Sequence, residues 1–340
     1  WTSLGVPGTA SAASIGGYLG DSDGHGSNCA SIAAGNTCGW ASGAAIYSLR
    51  IFSGQRIIRT GPSPTYLGEI DSDIAFDLVR AFHLAKRAAG NMRPTICTNS
   101  WGYRSNYYSM SSTHWRGTTY STSGRNSTYG QVSSSFGGSV EYLDISATNC
   151  SNAGVILVGA AGNYRHKIDV AGGQDYDNYY NGNYGVTYYH RGSSPTRADG
   201  FINVGAIDNT TTEQKVNFSE TGPRVDVYSP GTMIMGAYAN EPYQTPAVPD
   251  PRADMYHLNK ISGTSQACPQ VTGVLATALQ ARPTMTPAEA KQFIVDHSVN
   301  NTLVEGSSTS YSSTTYLQGG NNRILKTPFT SSIRGGINAS

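Results

Sequence analysis

Charge and long apolar runs are both scarce in this sequence, and each absence excludes a class of protein. Of its 340 residues 13% are charged, and 23 Lys and Arg nearly balance 22 Asp and Glu, which leaves a net charge of +1. So small a charge provides no electrostatic basis for binding nucleic acid or an anionic membrane. No apolar run approaches the roughly 20 residues that cross a bilayer, and no basic and apolar leader opens the sequence. The sequence therefore predicts no nucleic-acid partner, no membrane partner and no signal peptide.

Cysteine is also scarce, and the five present show neither an even count nor a metal-ligand spacing. Cys29, Cys97, Cys150 and Cys268 fall in elements expected to be buried, where free thiols commonly lie, whereas Cys38 is expected near the surface. Free thiols are therefore expected rather than a disulfide framework. They suit assembly in a reducing cytosol, a virion included, with secretion as the alternative, so the location stays open.

The strongest pattern lies at residues 261–279, where a Gly-Thr-Ser turn opens a helix. Apolar residues recur there at helical spacing, and Pro269 is expected in the first turn, where its missing N–H has no partner to lose. Ser265 would lie among the unsatisfied N–H groups of the helix start, which suit an attacking oxygen and the oxyanion that it creates. A plain helix cap is the alternative interpretation of Ser265.

Two further polar residues stand at the ends of predicted elements. His25 lies between two glycines at the start of a small-residue helix that is expected to end near Gly35. Asn163 follows an apolar run that begins at residue 155 and is typical of a buried parallel strand. Serine, histidine and asparagine, each at the end of its own element, can supply a nucleophile, a general base and an oxyanion donor.

In this order the motifs resemble those of the subtilisin-like serine proteases, the subtilases. The family's histidine, oxyanion and serine motifs are matched by residues 24–27, 160–163 and 263–269, and the resemblance runs from about residue 25 to residue 298. It implies a polypeptide substrate and a catalytic set of His25, Ser265 and Asn163. The implied substrate-binding residues are Ser100, Trp101, Gly102 and Gly162.

The resemblance also implies an α/β fold of three layers with a mostly parallel central sheet and long surface insertions. We expect one peptidase domain over residues 1–300 and a C-terminal extension over 301–340. The predicted insertions, at about 103–138, 164–200 and 237–256, should crowd the rim of the cleft. Strands are predicted at 44–52, 95–99 and 322–328, and helices at 69–89, 139–152 and 286–298.

Three acids in the second insertion raise the question of a metal site. Asp169, Asp175 and Asp177 carry the oxygen ligands that Ca²⁺ prefers. Their spacing is not that of a calcium loop, so a solvated loop is the favoured interpretation. The sequence therefore predicts no metal and no cofactor, with calcium left open.

One residue that the family requires is missing. Subtilases use an Asp at the end of an interior first strand, and no acid precedes Asp21 here. The family pattern places Asp21 and Asp23 in the loop that enters the histidine helix. Because backbone groups left unpaired in a sheet cost roughly 1–3 kcal/mol each, we expect another polypeptide to supply that strand. Trp1 is not an initiator residue, so the expected source is an N-terminal fragment of the same precursor.

Two functions are left open at this level. The first is a serine endopeptidase that works through an acyl-enzyme, either generally or only in its own processing and maturation. The alternative is a weakly active or inactive structural or binding component of a larger assembly such as a virion. Low charge and insertions rich in Tyr, Ser, Gly and Asn favour the alternative, whereas the joint presence of His25, Ser265 and Asn163 favours the enzyme.

Overall fold

The computed structural model describes residues 21, 23–49, 51, 72–238 and 248–327, and every structural statement below refers to these. The helices are α1 (His25–Ala34), α2 (Ser72–Ala88), α3 (Glu141–Asn152), α4 (Thr264–Ala281) and α5 (Pro287–Asp296). The strands are β1 (Ile96–Asn99), β2 (Arg104–Asn106), β3 (Ser112–Trp115), β4 (Thr118–Ser121), β5 (Ser135–Gly137), β6 (Ile156–Ala160), β7 (Tyr179–Gly182), β8 (Gly185–Tyr188), β9 (Phe201–Ile207), β10 (Val227–Pro230), β11 (Ile234–Tyr238), β12 (Val248–Asp250), β13 (Ala253–Ile261), β14 (Val299–Asn300) and β15 (Arg323–Ile324).

Six strands form the central sheet, in the order β1-β6-β9-β10-β15-β14. Every pair from β1 to β15 is parallel, and only β14 runs antiparallel to its neighbour. Asn99 at the end of β1 pairs with Gly159 of β6, so the segments that follow these strands leave the sheet at one edge. That edge is where an open parallel sheet places its ligand-binding groups.

Side chains of the strands alternate between two apolar layers. In β6, Ile156, Val158 and Ala160 pack with residues of α4 and α5, whereas Leu157 packs with residues of α2 and α3. All seven residues of β9 are buried as well. A parallel sheet buried on both faces needs helices on both sides, which these two layers provide. The predicted three-layer α/β fold with a mostly parallel sheet is confirmed.

Helix α1 packs on α4 and on β11. Its close approach to α4 depends on Gly273, where a Cβ would lie 2.6 Å from the carbonyl oxygen of Ala33. Only glycine leaves room for such a contact. The helix that starts with His25 is therefore held directly against the helix that carries Ser265.

The first two predicted insertions fold together as one accessory sheet. Strand β3 of the first insertion pairs with β4 and also with β7 of the second, in the order β4-β3-β7-β8. The third predicted insertion, at 237–256, lies in the antiparallel sheet β11-β13-β12, and residues 239–247 lie outside the described part. Strand pairing thus joins segments that are more than fifty residues apart in the sequence.

Two predicted elements differ in detail from the structure. The spacing in α2 predicts a buried stripe that includes Ile74, but Ile74 is 46% exposed while Phe76 and Val79 are buried. The predicted stripe is buried at Leu78 and Phe82, and burial extends to Phe76 and Val79 because α3 and the sheet contact that face. At the other end of the chain, β15 covers 323–324 of the strand predicted at 322–328, and residue 328 lies outside the described residues.

A capping box opens α5, the helix predicted at 286–298. The hydroxyl oxygen of Thr286 accepts a hydrogen bond from the backbone N–H of Glu289 at 3.2 Å. In return, Glu289 Oε2 accepts one from the backbone N–H of Thr286 at 2.8 Å. The two bonds satisfy donors that the first helical turn leaves unpaired.

The strand predicted at 44–52 does not form in residues 44–49 and 51, the part that the structure describes. Ile46, on its predicted apolar face, is 54% exposed. A strand needs a hydrogen-bonded neighbour, and no described strand pairs with this segment. Strand β1 is likewise paired only with β6, and its first three residues are half-buried whereas β6 is buried throughout. Over the described ranges, the sheet is open at β1.

The acids of the second insertion form buried ion pairs, so the predicted solvated loop is wrong for two of them. Lys167 Nζ lies 3.0 Å from Asp169 Oδ2 and 2.7 Å from Asp175 Oδ2. Arg116 of the first insertion donates from Nε to Asp175 Oδ1 at 2.7 Å. The side chain of Asp177, by contrast, is 76% exposed. Buried pairing therefore ties the two insertions together.

The C-terminal extension joins the same network. The hydroxyl of Tyr311 donates to Asp175 Oδ2 at 2.7 Å and accepts from Arg116 Nη2 at 2.6 Å. Burial acts to raise the pKa of Asp175, but hydrogen bonds from Arg116, Lys167 and Tyr311 outweigh it and hold the pKa well below its ordinary value. Asp175 is therefore ionised at neutral pH.

The five cysteines are free thiols, as expected. Cys38 is exposed, Cys97 is half-buried, and Cys29, Cys150 and Cys268 are buried. No helix in the described ranges is both long and apolar enough to cross a bilayer.

We predict that Lys167→Met destabilises the chain by about 3–5 kcal/mol, because it removes the cation paired with buried Asp169 and leaves Asp175 with Arg116 alone. Denaturant unfolding measures this loss. Arg80→Met is the matched control, since Arg80 and Asp77 form an exposed pair at 3.6 Å and should contribute about 1 kcal/mol or less. Equal losses in the two variants would show that the buried network contributes no more than a surface pair.

Candidate active site

Ser265 lies in the first turn of α4, as the sequence predicts, but it does not cap the helix. The N-cap residue is Gly263, and no side chain makes a capping hydrogen bond there. Ser265 is half-buried, and its hydroxyl donates to the carbonyl oxygen of Ser100 at 3.2 Å. The capping interpretation of Ser265 is therefore wrong, and the hydroxyl is directed to the segment that follows β1.

Pro269 lies in the second turn of α4, not in the first turn that the sequence pattern predicts. A residue with an N–H at this position would donate to the carbonyl of Ser265, four residues earlier. Because proline has none, that carbonyl accepts from other elements, namely Ser100 Oγ at 2.8 Å and Cys29 Sγ at 3.4 Å. The free carbonyl joins α4 to α1 and to the end of β1.

His25 is the first residue of α1, and Asp21 fixes the start of that helix. Asp21 Oδ1 accepts from the backbone N–H groups of Asp23 at 3.1 Å and Gly24 at 2.8 Å. Asp21 Oδ2 accepts from the N–H of Ser27 at 2.8 Å. Burial acts to raise the pKa of Asp21, but these hydrogen bonds outweigh it and lower the pKa. Asp21 is thus committed to the helix start, in agreement with its interpretation as a loop residue.

The His25 ring is poorly equipped to carry a positive charge. Burial lowers its pKa below the ordinary value, and the charges of Asp23 and Asp21 offset this only in part. Over the described ranges no carboxylate forms an ion pair or hydrogen bond with the ring, whose Nε2 lies 3.9 Å from Cys29 Sγ. Burial also raises the pKa of Cys29 to about 11, so that thiol is neutral.

Asn163 follows β6, and Thr264 fixes the orientation of its amide. Asn163 Oδ1 accepts from the backbone N–H of Thr264 at 3.0 Å and from its hydroxyl at 2.9 Å. The same hydroxyl accepts from the backbone N–H of Gly162 at 3.2 Å. With Oδ1 held in this way, Asn163 Nδ2 is turned toward the start of α4 and can donate to a ligand there.

Two N–H donors, Asn163 Nδ2 and the backbone nitrogen of Ser265, lie close to Gly263. A Cβ at Gly263 would lie 3.4 Å from Asn163 Nδ2 and 3.5 Å from the backbone nitrogen of Ser265. Gln266 Oε1 lies nearer to the same point, at 3.0 Å. Both donors therefore border one small volume at the start of α4, in the turn that carries Ser265. A pair of fixed donors of this kind can stabilise the oxyanion that forms when a hydroxyl attacks a carbonyl.

The segment predicted to bind substrate, 100–102, leads away from Ser265 along the cleft. Ser100 contacts Ser265 through the two hydrogen bonds described above, and a side chain at Gly102 would collide with Ser193. Trp101 is half-buried. Its ring packs in the layer beneath, with its centroid 6.3 Å from that of Phe76.

Gly162, the fourth predicted substrate-binding residue, has φ +122°, a conformation that favours glycine. A Cβ there would lie 2.7 Å from Cγ of Glu220. The sequence assigned no role to Glu220, nor to Thr264 or Asp21. Thr264 lies inside the serine motif at 263–269, and that position could have identified it. Glu220 lies in none of the three motifs, so the sequence offers no means of identifying it.

The acids considered for calcium do not fit such a site. The ammonium group of Lys167 lies between Asp169 and Asp175, where a bound cation would have to stand. Elsewhere in the described part, no three His, Cys, Asp or Glu side chains come together as a metal site would require.

Comparison with known proteins identifies this arrangement. The model of the subtilase family matches residues 17–319. An extracellular serine proteinase of Thermus sp. (strain Rt41A) is 32% identical over 167 residues, which are 49% of this chain and 32% of the relative. A thermostable alkaline protease of Halalkalibacterium halodurans is 29% identical over 152 residues, 45% of this chain and 31% of the relative. The matched region thus spans about a third of the length of these relatives.

A solved structure, that of a cold-adapted subtilisin-like serine proteinase, has the same fold. Its TM-score is 0.56 at 20% sequence identity, and the match covers 91% of this chain and 77% of the other. At this level of identity the likeness concerns the fold alone.

We predict that Ser100→Ala costs about 1–3 kcal/mol in the free energy of unfolding, because the Ser265 carbonyl loses a donor. In a Pro269→Ala background the same change should cost less than half as much, since the substituted alanine offers its own N–H to that carbonyl. Urea unfolding of the four variants measures this coupling. Equal costs in both backgrounds would show that Pro269 does not free the carbonyl for Ser100.

Proposed function

The chain belongs to the subtilase family, and we propose that it is a serine endopeptidase that cleaves peptide bonds through an acyl-enzyme on Ser265. The observation that carries this proposal is the pair of donors, Asn163 Nδ2 and the Ser265 N–H, at the turn that carries the Ser265 hydroxyl. A structural serine would have no use for an adjacent asparagine amide held in place by two hydrogen bonds. His25 lies on the helix packed against α4 and is the base of the proposed reaction.

In the proposed reaction Ser265 Oγ attacks the scissile carbonyl carbon and its proton passes to His25 Nε2. The carbonyl oxygen becomes negative and accepts hydrogen bonds from Asn163 Nδ2 and the Ser265 N–H. The imidazolium then donates its proton to the leaving amine, which frees the first product and leaves an ester on Ser265. Water, activated by neutral His25, hydrolyses the ester and restores the serine.

Substrate is proposed to lie extended along residues 100–102. Over the described ranges the backbone of Gly102 has no partner in the protein, so it can pair with a substrate strand. Gly162 borders the other side of the cleft beside Asn163. Trp101 contributes its backbone to this segment, because its ring packs in the layer below.

We further propose that the third catalytic residue, an Asp, arrives on a strand from another polypeptide, an N-terminal fragment of the same precursor. Two observations support this. The sheet edge at β1 is open over the described ranges, and the charges of Asp23 and Asp21 offset the effect of burial on the His25 pKa only in part. Such a strand would give both β1 and residues 44–51 a neighbour. Its acid would stabilise the imidazolium that burial now disfavours.

A second candidate function is a structural component of a larger assembly, such as a virion, that keeps the fold with little turnover. It is favoured by the free thiols, which suit a reducing compartment of assembly. Proteolysis limited to self-processing would lie between the two functions. The reactivity of Ser265 separates them, because only an activated serine reacts with a fluorophosphonate.

We predict that a fluorophosphonate labels the parent chain at Ser265 and leaves Ser265→Ala unlabelled, since only the nucleophile is removed. Asn163→Ala should lower the labelling rate on the order of 10²–10³ through loss of one oxyanion donor. Mass spectrometry locates the label. If a folded chain extended at its amino end by a strand that carries the missing Asp also takes up no label, the structural component is favoured.

The acid is supplied by extending the chain at its amino end with an apolar strand that ends in Asp-Ser-Gly. The matched control carries Asn in place of that Asp. By the scale known from other serine proteases, the Asp extension should react about 10⁴-fold faster than the Asn extension. If both extensions protect the backbone amides of β1 from exchange and react equally, the missing-acid proposal is wrong.

A further inference from the structure

A carboxyl group lies buried directly behind the turn that carries Asn163. Glu220 is 2% exposed. The point where a Cβ of Gly162 would stand is 2.7 Å from Glu220 Cγ and 3.1 Å from Glu220 Oε1. The three atoms nearest to that point all belong to Glu220. The Glu220 side chain therefore packs directly against the turn at Gly162.

The backbone links the same two residues. The N–H of Glu220 donates to the carbonyl oxygen of Gly162 at 3.0 Å. On the other side, the N–H of Gly162 donates to the hydroxyl of Thr264 at 3.2 Å. Gly162 is thus held between Thr264, which also binds the Asn163 amide, and Glu220. Because Gly162 has φ +122° and no side chain, packing from its neighbours has to fix its position.

The Glu220 carboxyl has no ion-pair partner among the described residues, and its Oε2 is buried without a hydrogen bond. Burial raises the pKa of Glu220 well above its ordinary value, although the N–H groups of His166 and Tyr164 and the charge of Lys215 act in the opposite direction. Three tyrosines also lie close enough for the charge of Glu220 to raise their pKa, namely Tyr107, Tyr164 and Tyr228.

We propose that Glu220 is a positioning residue for the oxyanion donor, which fixes the turn at 161–164 and thereby the Asn163 amide. This inference rests on the proposed proteolytic function. A buried polar oxygen without a partner costs free energy. A shape-only role could be filled by an apolar side chain, whereas the N–H groups of Tyr164 and His166 favour a polar side chain at this position.

The role predicts a particular division between binding and chemistry. Asn163 stabilises charge that exists only in the transition state, so its misplacement lowers kcat and leaves KM nearly unchanged. A misplacement of about 1 Å is enough to lower turnover on the order of 10²-fold. Loss of fold stability alone would also lower the apparent kcat at unchanged KM, because it reduces the amount of active protein. Turnover is therefore expressed per active site, counted by the end point of fluorophosphonate labelling.

The test uses the full chain with its amino-terminal Asp extension and a chromogenic peptide substrate. Glu220→Ala should lower kcat about 10- to 100-fold with KM within about twofold. Glu220→Gln, neutral and of the same shape, should restore kcat to within about threefold of the parent. Thr221→Val is the matched control, since Thr221 is the next buried residue but its hydroxyl bonds the carbonyl of Leu317, away from the turn. It should leave kcat unchanged.

Hydrogen exchange of the backbone amide of Gly162 tests the role of Glu220 without any measurement of turnover. Exchange of the Gly162 amide should be faster in Glu220→Ala, parental in Glu220→Gln and parental in Thr221→Val. Parental kcat and exchange in Glu220→Ala would overturn the inference while leaving proteolysis intact. Absence of turnover in the parent would instead count against the proposed function, and the exchange comparison would still decide for or against Glu220.

Discussion

The site depends on the hydrogen bonds that the backbone carbonyl oxygen of Ser265 accepts. Helix α4 would normally satisfy it internally, but Pro269 has no N–H to give. Ser100 Oγ and Cys29 Sγ take that place, at 2.8 Å and 3.4 Å. One unsatisfied acceptor therefore brings together the serine helix, the histidine helix and the end of β1. A proline inside a helix costs about 3 kcal/mol relative to alanine, and contacts between elements offset that cost here.

The arrangement follows from the parallel sheet. Strands β1 and β6 are neighbours, so the segments after them, at 100–102 and 161–163, emerge at the same edge. Helix α4 packs across the same strands and brings its first turn to that edge. The polar groups of the site then fix one another over short distances, with Thr264 bound to Asn163 and Ser100 bound to Ser265. The apolar layers stabilise the fold, and the polar groups of the candidate site lie at this edge of the sheet.

Motifs in the sequence predicted the central elements well because local chemistry marks them. His25, Asn163 and Ser265 each sit in a short pattern of glycine and small residues, and the strands beside them are continuous apolar runs. What the sequence did not predict depends on distant partners. Arg116 reaches Asp175 across more than fifty residues of sequence because the two insertions pair as strands. Residues 44–51 have strand composition, but a strand forms only where a neighbour is present.

We propose that His25 receives the carboxylate it needs from a strand of another polypeptide. The most direct measurement is the pKa of the His25 ring by nitrogen-15 NMR, assigned with a His25→Ala variant. The account predicts a pKa below the ordinary value in the chain alone. It should rise when an amino-terminal extension bearing Asp docks at β1, and stay low when Asn replaces that Asp. A pKa already raised in the chain alone, or one that the two extensions change equally, would contradict the account.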